Sequence, residues 1–164
     1  MKTGLLFEFE SASALRGWSE TQTVLKSDGE FRLEWVHSDA TRPRAAPVST
    51  PADYGKWIAQ RAMSNRRGAV VLPPAIGAGY EVFLLGIDPP PPPARRTGVV
   101  DGITLKVRFG SFWKGPPAYD FSSWSPAREW RHDGWVAARS PWCDLHDWIE
   151  TTQSQLRILG GIEG

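Results

Sequence analysis

The sequence predicts an α+β fold, in which a mostly antiparallel sheet of roughly six to eight strands is covered by one mid-chain and one C-terminal helix, with a β-sandwich as the alternative. Three patterns favour it. Several short segments alternate apolar and polar residues, as strands with one buried face do. Asp-Gly pairs at residues 28–29, 101–102 and 133–134 supply hairpin turns. Two longer segments open with Thr-Pro or Ser-Pro, which is typical of a helix start.

Three strands are predicted at the start of the chain. The turn SDGE precedes the segment EFRLEWV, so WSETQTVL from Trp18 is its hairpin partner. The segment LLFEF alternates in the same way as EFRLEWV. In each of these two segments the apolar side chains share one face: Leu5, Phe7 and Phe9 in LLFEF, and Phe31, Leu33 and Trp35 in EFRLEWV.

A helix is predicted over residues 50–67. Thr50 is its N-cap, Pro51 is its first helical residue, and Asp53 stands at the capping-box position. Four side chains form a stripe at helical spacing: Tyr54, Trp57, Ile58 and Ala62. The residues that suit its end are Arg66, Arg67 and Gly68.

Two strands and a proline run follow this helix. GAVVLPP and GYEVFLLGI are the predicted strands, and the second is apolar on both faces, as a central strand is. The run DPPPPPARRTG, residues 88–98, cannot join a sheet ladder because proline lacks the amide donor and fixes φ. It is predicted to be a stiff surface loop, either a spacer or a segment that docks into an aromatic groove.

Two further hairpins and a terminal helix complete the prediction. VVDGITLKVRF turns at residues 101–102, and AREWRH pairs with WVAAR around residues 133–134. The side chains of the first hairpin expected to face the core are Ile103, Leu105, Val107 and Phe109. Ser140 caps the last helix, Pro141 begins it, and two glycines at 160–161 end it. Its apolar stripe is Leu145, Trp148, Ile149, Thr152, Leu156 and Leu159.

Composition limits the classes of function. The 164 residues fit one domain, 1–164, with its proline-rich surface loop at 88–98, and nine Trp and fourteen Pro depart from average usage. A net charge of +1 provides no basic field for nucleic acid. No stretch reaches the roughly 20 apolar residues that cross a bilayer, and the start lacks the uncharged core of a signal peptide. Cys143 is the single cysteine, so no internal disulfide forms. A cytoplasmic or virion location is expected.

The stretch WSPAREWRHDGW, residues 124–135, holds the candidate binding residues. If the chain turns at residues 133–134, His132 stands opposite Trp135 and Trp130 shares their face. The cluster fits three interpretations: core filling between the sheet and the terminal helix, a protein-docking face, or a platform that stacks on a sugar ring. The six candidates are Trp124, Arg128, Trp130, Arg131, His132 and Trp135.

The sequence contains no complete catalytic motif. Cys143 and His146 stand one helical turn apart, yet a cysteine nucleophile also needs an orienting group and an oxyanion site. Gly77 and Gly79 precede neither Lys-Ser/Thr nor a predicted helix, so no phosphate-binding loop is expected. The conceivable metal ligands match no zinc spacing: His132, Cys143, Asp144, His146 and Asp147. No cofactor is expected.

The segment LLFEFESASALRGWS resembles the opening strand of some β-sandwich carbohydrate-binding modules, in which an aromatic-rich strand with an acidic residue precedes Gly-Trp. The resemblance covers about fifteen residues. It implies a carbohydrate-binding function, and no binding residue is carried over from it. The helices predicted at residues 50–67 and 140–159 depart from an all-β sandwich.

Three functions remain open at this point. The first expectation is a non-catalytic structural or docking subunit of a larger assembly, such as a bacteriophage particle, with other protein subunits as partners. Aromatic and arginine-rich candidates without a catalytic motif favour it. The alternatives are a carbohydrate-binding module that uses exposed tryptophans to bind a glycan, and a small hydrolase. Neither nucleic acid nor a membrane is an expected partner.

Overall fold

Six strands form one antiparallel sheet in the computed structural model, which describes residues 3–13, 16–40, 63–92, 104–122 and 141–162. The strands are β1 (Gly4–Ser13), β2 (Trp18–Ser27), β3 (Glu30–Ala40), β4 (Met63–Val71), β5 (Thr104–Phe109) and β6 (Ala118–Asp120). They lie in the order β4-β3-β2-β1-β5-β6. The helices are α1 (Pro74–Gly86) and α2 (Pro141–Gly160). The predicted α+β class, with one helix mid-chain and one C-terminal, is confirmed.

The hairpin between β2 and β3 forms at the predicted Asp-Gly turn. Asp28 and Gly29 both have positive φ, 50° and 82°, as a tight turn between twisted antiparallel strands requires. In β1 the alternation is interrupted by a register shift between Leu5 and Phe7. Because of this bulge Leu6, and not Leu5, is buried, so the expected face is correct only from Phe7 onward.

The middle of the chain differs from the prediction. Residues 63–71 form strand β4, which pairs with β3 from Ala40–Met63 to Arg32–Val71, so the predicted helix end at Arg66 and Gly68 is wrong. Pairing with β3 outweighs local preference here, since strand propensity depends strongly on context. The remainder of the predicted helix, residues 41–62, lies outside the described residues.

The mid-chain helix is instead α1, and it occupies the segment GYEVFLLGI that was predicted as a central strand. Pro73 is extended and Pro74 lies at the start, a position at which proline favours a helix because its φ is already helical. The segment is apolar on both faces because one face packs on the sheet while the other lines a groove between the helices. Periodicity alone does not separate a buried strand from such a helix.

Both helices pack on the same face of the sheet. Leu145, Ile149 and Leu156 of α2 are fully buried, as its predicted stripe requires. Trp148 makes aromatic contacts with side chains from the sheet and from α1: Phe7, Phe9, Tyr80 and Phe83. The helix begins at Pro141, and Gly161 adopts a φ of 63° after its end, as predicted.

Helix α1 approaches the sheet closely at Gly77. A β-carbon on this residue would lie 2.1 Å from Cγ of Phe31, so only glycine fits. At the side of this contact, Lys26 Nζ pairs with Glu81 Oε1 at 2.8 Å.

Strand β5 alternates as predicted. Leu105, Val107 and Phe109 are buried, while Thr104, Lys106 and Arg108 are exposed. The outward face of the sheet is mostly polar, although Val36 and Val71 are exposed on it. Arg108 pairs there with Glu8 at 3.1 Å. Neither of the helices described is long and apolar enough to cross a membrane.

Candidate functional site

The inward face of the sheet changes from apolar to polar along the strands. Directly opposed residues of antiparallel strands share a face, so the register gives rows that cross the sheet. An apolar row contains Val70, Leu33, Val24, Phe7 and Phe109. Four residues further along, the same strands contribute Arg66, His37, Glu20, Ser11 and Leu105. The first four of these residues are here called the polar row.

Glu20 is the centre of the polar row. It is only 4% exposed, and its carboxylate accepts hydrogen bonds from three side chains. Oε1 faces His37 Nδ1 at 2.9 Å and also accepts from the Arg157 guanidinium. Oε2 accepts from Gln22 Nε2 at 3.0 Å. The three contacts satisfy a buried charge that would otherwise be strongly destabilising.

His37 lies between two carboxylates. Its Nε2 is 3.0 Å from Asp39 Oδ2, on the opposite side of the ring from Glu20. A carboxylate only accepts hydrogen bonds, so both contacts are hydrogen bonds together only when both ring nitrogens carry protons. Asp39 is half exposed, with a side-chain exposure of 47%, and also pairs with Arg66 at 3.5 Å. Each ring nitrogen of His37 therefore faces a carboxylate oxygen at hydrogen-bonding distance.

Helix α2 closes over the polar row with one flank. Glu150, Gln153 and Arg157 recur at spacings of three and four, so they share one side of the helix. The Gln153 carbonyl accepts from Gln22 Nε2 at 3.3 Å, and the Gln153 side chain reaches Ser11 Oγ at 3.5 Å. The helix therefore positions its polar groups above the strand residues.

A cavity of about 390 Å³ opens between α2 and the strands. We call it the polar groove, and its lining residues are Ser11, Trp18, Glu20, Glu150, Gln153, Ser154 and Arg157. The indole of Trp18 is nearly parallel to the His37 ring, at an interplanar angle of 10° and a centroid distance of 6.4 Å. The groove thus combines a flat aromatic surface with hydrogen-bond donors and acceptors.

Stability does not account for this arrangement. Replacement of a buried ion pair by well-packed apolar residues is often neutral or stabilising, so stability alone does not require charged groups at these positions. Glu20, His37 and Gln22 nevertheless lie on the inward face of the sheet, whose other buried residues are mostly apolar, as Phe7 and Leu33 are. A site that needs polar groups is the simplest account of them.

A second cavity of about 610 Å³ lies between α1 and α2, on the other flank of α2. We call it the helix groove, and its lining residues are Val82, Phe83, Gly86, Ile87, Asp144, Asp147, Trp148 and Thr151. Phe83 and Trp148 stack within it at 4.9 Å and 6°. Val82 and Leu85 of α1 are 72% and 64% exposed, an unusual exposure for large apolar side chains in neighbouring turns.

The six candidate binding residues of the Trp-rich stretch, Trp124 to Trp135, all lie in residues 123–140, outside the part of the chain that the structure describes. Their role stays a prediction.

The Cys143 and His146 pair considered for a hydrolase is buried on α2, which leaves the thiol away from solvent. Burial lowers the pKa of His146, and the carboxylate of Glu150 partly opposes this shift. Of the conceivable metal ligands, His146 and Asp147 come together with Glu150, their ligand atoms lying within 4.8 Å of one another. Cys143 and Asp144 do not belong to this group, and His132 lies outside the described residues.

The polar row was not among the predicted sites. A signal was present, because in WSETQTVL the inward positions after Trp18 are Glu20 and Gln22, so the strand is polar on both faces before Val24. Continued alternation beyond Trp35 likewise assigns His37 and Asp39 to the inward face. Comparing the in-facing positions of paired strands would have found it.

No protein-family model matches this chain, and neither does any curated protein or solved structure. Its function is therefore argued from geometry and chemistry.

Proposed function

We propose that this chain is a non-catalytic binding protein whose polar groove receives a neutral saccharide. The observation that carries the proposal is the presence of Trp18 in one groove with Glu150, Gln153 and Arg157. An indole stacks on the apolar face of a sugar ring, while amide, guanidinium and carboxylate groups at its edge exchange hydrogen bonds with hydroxyls, which both donate and accept.

The charges of the groove favour a neutral ligand. Glu20 and Arg157 neutralise one another through their ion pair, and Glu150 adds a carboxylate that is 64% exposed. An anionic ligand would meet this negative charge, whereas a saccharide hydroxyl can donate a hydrogen bond to it. Because Glu20 also fixes one side of the guanidinium, Arg157 is oriented before a ligand arrives, which lowers the entropy lost on binding.

The test is titration of the isotopically labelled chain with a panel of neutral mono- and oligosaccharides, followed through the backbone amide and indole N–H resonances. We expect saturable shifts of the Trp18 resonance at millimolar sugar, and loss of binding by at least about tenfold in Trp18→Ala. Glu150→Gln should weaken binding less, since an amide still accepts a hydrogen bond. Trp142→Phe, on a different surface, is the matched control and should bind normally. If no sugar moves Trp18, or if the control loses binding equally, the proposal is wrong.

A second candidate function is that of a docking subunit in a larger assembly, as expected first from the sequence. The exposed side chains of Val82 and Leu85 beside the helix groove favour it. The occupant that fits is an apolar segment of a partner protein that packs against Val82 and Leu85. The kind of assembly, a bacteriophage particle among others, stays a prediction.

This second function has its own test. Leu85→Glu should abolish co-purification of a defined partner while the melting temperature stays unchanged, because Leu85 is exposed. Glu34→Gln, an exposed position on the other face of the sheet, is the control. A chain that is monomeric in native extracts, or complexes that survive Leu85→Glu, would exclude docking at this groove.

A further inference from the structure

The start of the proline run is held by aromatic side chains. Tyr119 Oη donates a hydrogen bond to the carbonyl oxygen of Pro90 at 2.7 Å, and Trp142 Nε1 donates to that of Pro91 at 2.6 Å. Pro90 is buried, whereas Pro91 and Pro92 are exposed. Two successive carbonyls are therefore bound by donors from two separate elements, β6 and α2.

The residues that line the surface beneath the run are here called the proline cradle: Trp113, Gly115, Tyr119 and Trp142. Trp113 stacks on Phe109 at 4.3 Å and meets Tyr119 edge to face at 6.3 Å. At Gly115 a β-carbon would lie 2.4 Å from Cβ of Pro89 and 2.6 Å from the Trp113 indole nitrogen. Only glycine leaves room for a proline ring here.

This chemistry is that of proline recognition. A proline residue has no amide N–H, so an extended run of prolines has unpaired carbonyls and a rigid, low-entropy backbone. Domains that bind such segments use aromatic walls for the rings and indole or phenol hydrogens for the carbonyls. Tyr119 and Trp142 provide both of these in the present fold.

We infer that the proline cradle is a binding surface for a proline-rich segment of a partner protein, and that residues 88–92 occupy it in the isolated chain. A second copy of this chain fits less well as the source. In a second copy the run is already held by that copy's own Tyr119 and Trp142, and it is tethered there because Pro90 lies only four residues after the end of α1 at Gly86. The tether also places the run at a millimolar or higher effective concentration, which makes it an internal competitor.

The test uses the full chain and a synthetic peptide of the sequence DPPPPPARR, with the dissociation constant of the peptide measured by isothermal titration calorimetry. Replacement of both Pro90 and Pro91 by glycine (P90G/P91G) weakens the internal competitor by giving its backbone freedom. We expect P90G/P91G to bind the peptide at least about tenfold more tightly than the parent chain. Adding Trp142→Phe to that variant should weaken binding about fivefold to tenfold through loss of one hydrogen bond.

Trp35→Phe in the same P90G/P91G background is the matched control, since Trp35 lies in β3 away from the cradle. It should bind the peptide normally. Circular dichroism and the melting temperature establish that each variant is folded. The inference is wrong if folded P90G/P91G fails to bind the peptide at millimolar concentration, or if Trp142→Phe has no effect. It is equally wrong if P90G/P91G abolishes a dimer in the parent chain, because the occupant would then be a second copy. Sugar binding at Trp18 is independent of every one of these outcomes.

Discussion

The buried carboxylate of Glu20 accepts hydrogen bonds from Gln22 and His37 on the sheet and from Arg157 on helix α2. Replacing Arg157 by leucine removes one donor and leaves a carboxylate that is still shielded from water. We expect the free energy of unfolding to fall by about 2–3 kcal/mol, measured by urea denaturation at neutral pH.

Arg108→Leu is the matched control for Arg157→Leu. It breaks the pair with Glu8, in which the Arg108 side chain is 60% exposed, and exposed pairs contribute at most about 1 kcal/mol. Equal losses in the two variants would show that the Glu20 site behaves as a surface ion pair.

Because Tyr80 is buried, the free energy of unfolding should decrease as the pH becomes alkaline. Burial raises its pKa from 10.0 to about 12, and its hydroxyl donates to Gln155 Oε1 at 2.7 Å. Since the pKa is higher in the folded state, this stabilisation is complete below pH 10 and is lost as pH rises towards about 12. Tyr80→Phe should lower stability at pH 7 by about 1 kcal/mol through loss of the hydrogen bond, yet show a shallower alkaline decline.

The measurement for Tyr80→Phe is a series of urea titrations from neutral pH upward. The decline should be reduced and not abolished, because burial also raises the pKa of Tyr119. Parallel curves for parent and variant would contradict the assignment.

Helix α2 is a core element that carries a different surface on each flank. Trp148→Ala removes an indole that contacts Phe7, Phe9 and Tyr80, and we expect a loss of about 3–5 kcal/mol, enough to unfold a domain of ordinary stability. Ile158→Ala on the same helix, at a residue 81% exposed, should change stability by less than about 0.5 kcal/mol. Should Trp148→Ala keep its melting temperature and lose an assembly instead, α2 would be an interface element.

Substitution by alanine should have opposite effects on stability at two glycines of helix α1. Gly77→Ala forces a β-carbon into Phe31 and should destabilise the chain by about 1–3 kcal/mol through overpacking. Gly79→Ala meets no atom within 4 Å and should stabilise it by about 0.5–1 kcal/mol through helix propensity. Thermal melts of the two variants measure both. Shifts of the same sign would mean that α1 does not approach β3 as described.

Elements were predictable where local signals and tertiary packing agree. Three elements have such local signals. The β2–β3 hairpin has an Asp-Gly turn, β5 has a strict period of two, and α2 has a proline at its start and glycines at its end. Strand β4 was predicted only over residues 68–71, as the start of the predicted strand GAVVLPP, and helix α1 was not predicted as a helix. The segment MSNRRGAVV is a strand because it pairs with β3. The segment GYEVFLLGI is apolar on all sides, so its sequence shows no helical period.

At the scale of the whole molecule, the candidate site follows from register and not from any one segment. Ser11, Glu20 and His37 are ordinary strand residues until pairing sets them side by side. No short motif contains this information, which is why the sequence pointed to the Trp-rich stretch instead. For the proline run the sequence left two roles open, a spacer and a segment that docks into an aromatic groove.

The ion pair of Glu20 with Arg157 joins residues 137 positions apart. During synthesis β1, β2 and β3 leave the ribosome early and can pair as neighbouring hairpins, while α2 emerges much later. Until then Glu20 has its carboxylate in water and the polar groove has only one wall. A truncated chain that lacks α2 would therefore have no polar groove, and the apolar face of its sheet would lose the cover that Leu145, Ile149 and Leu156 provide.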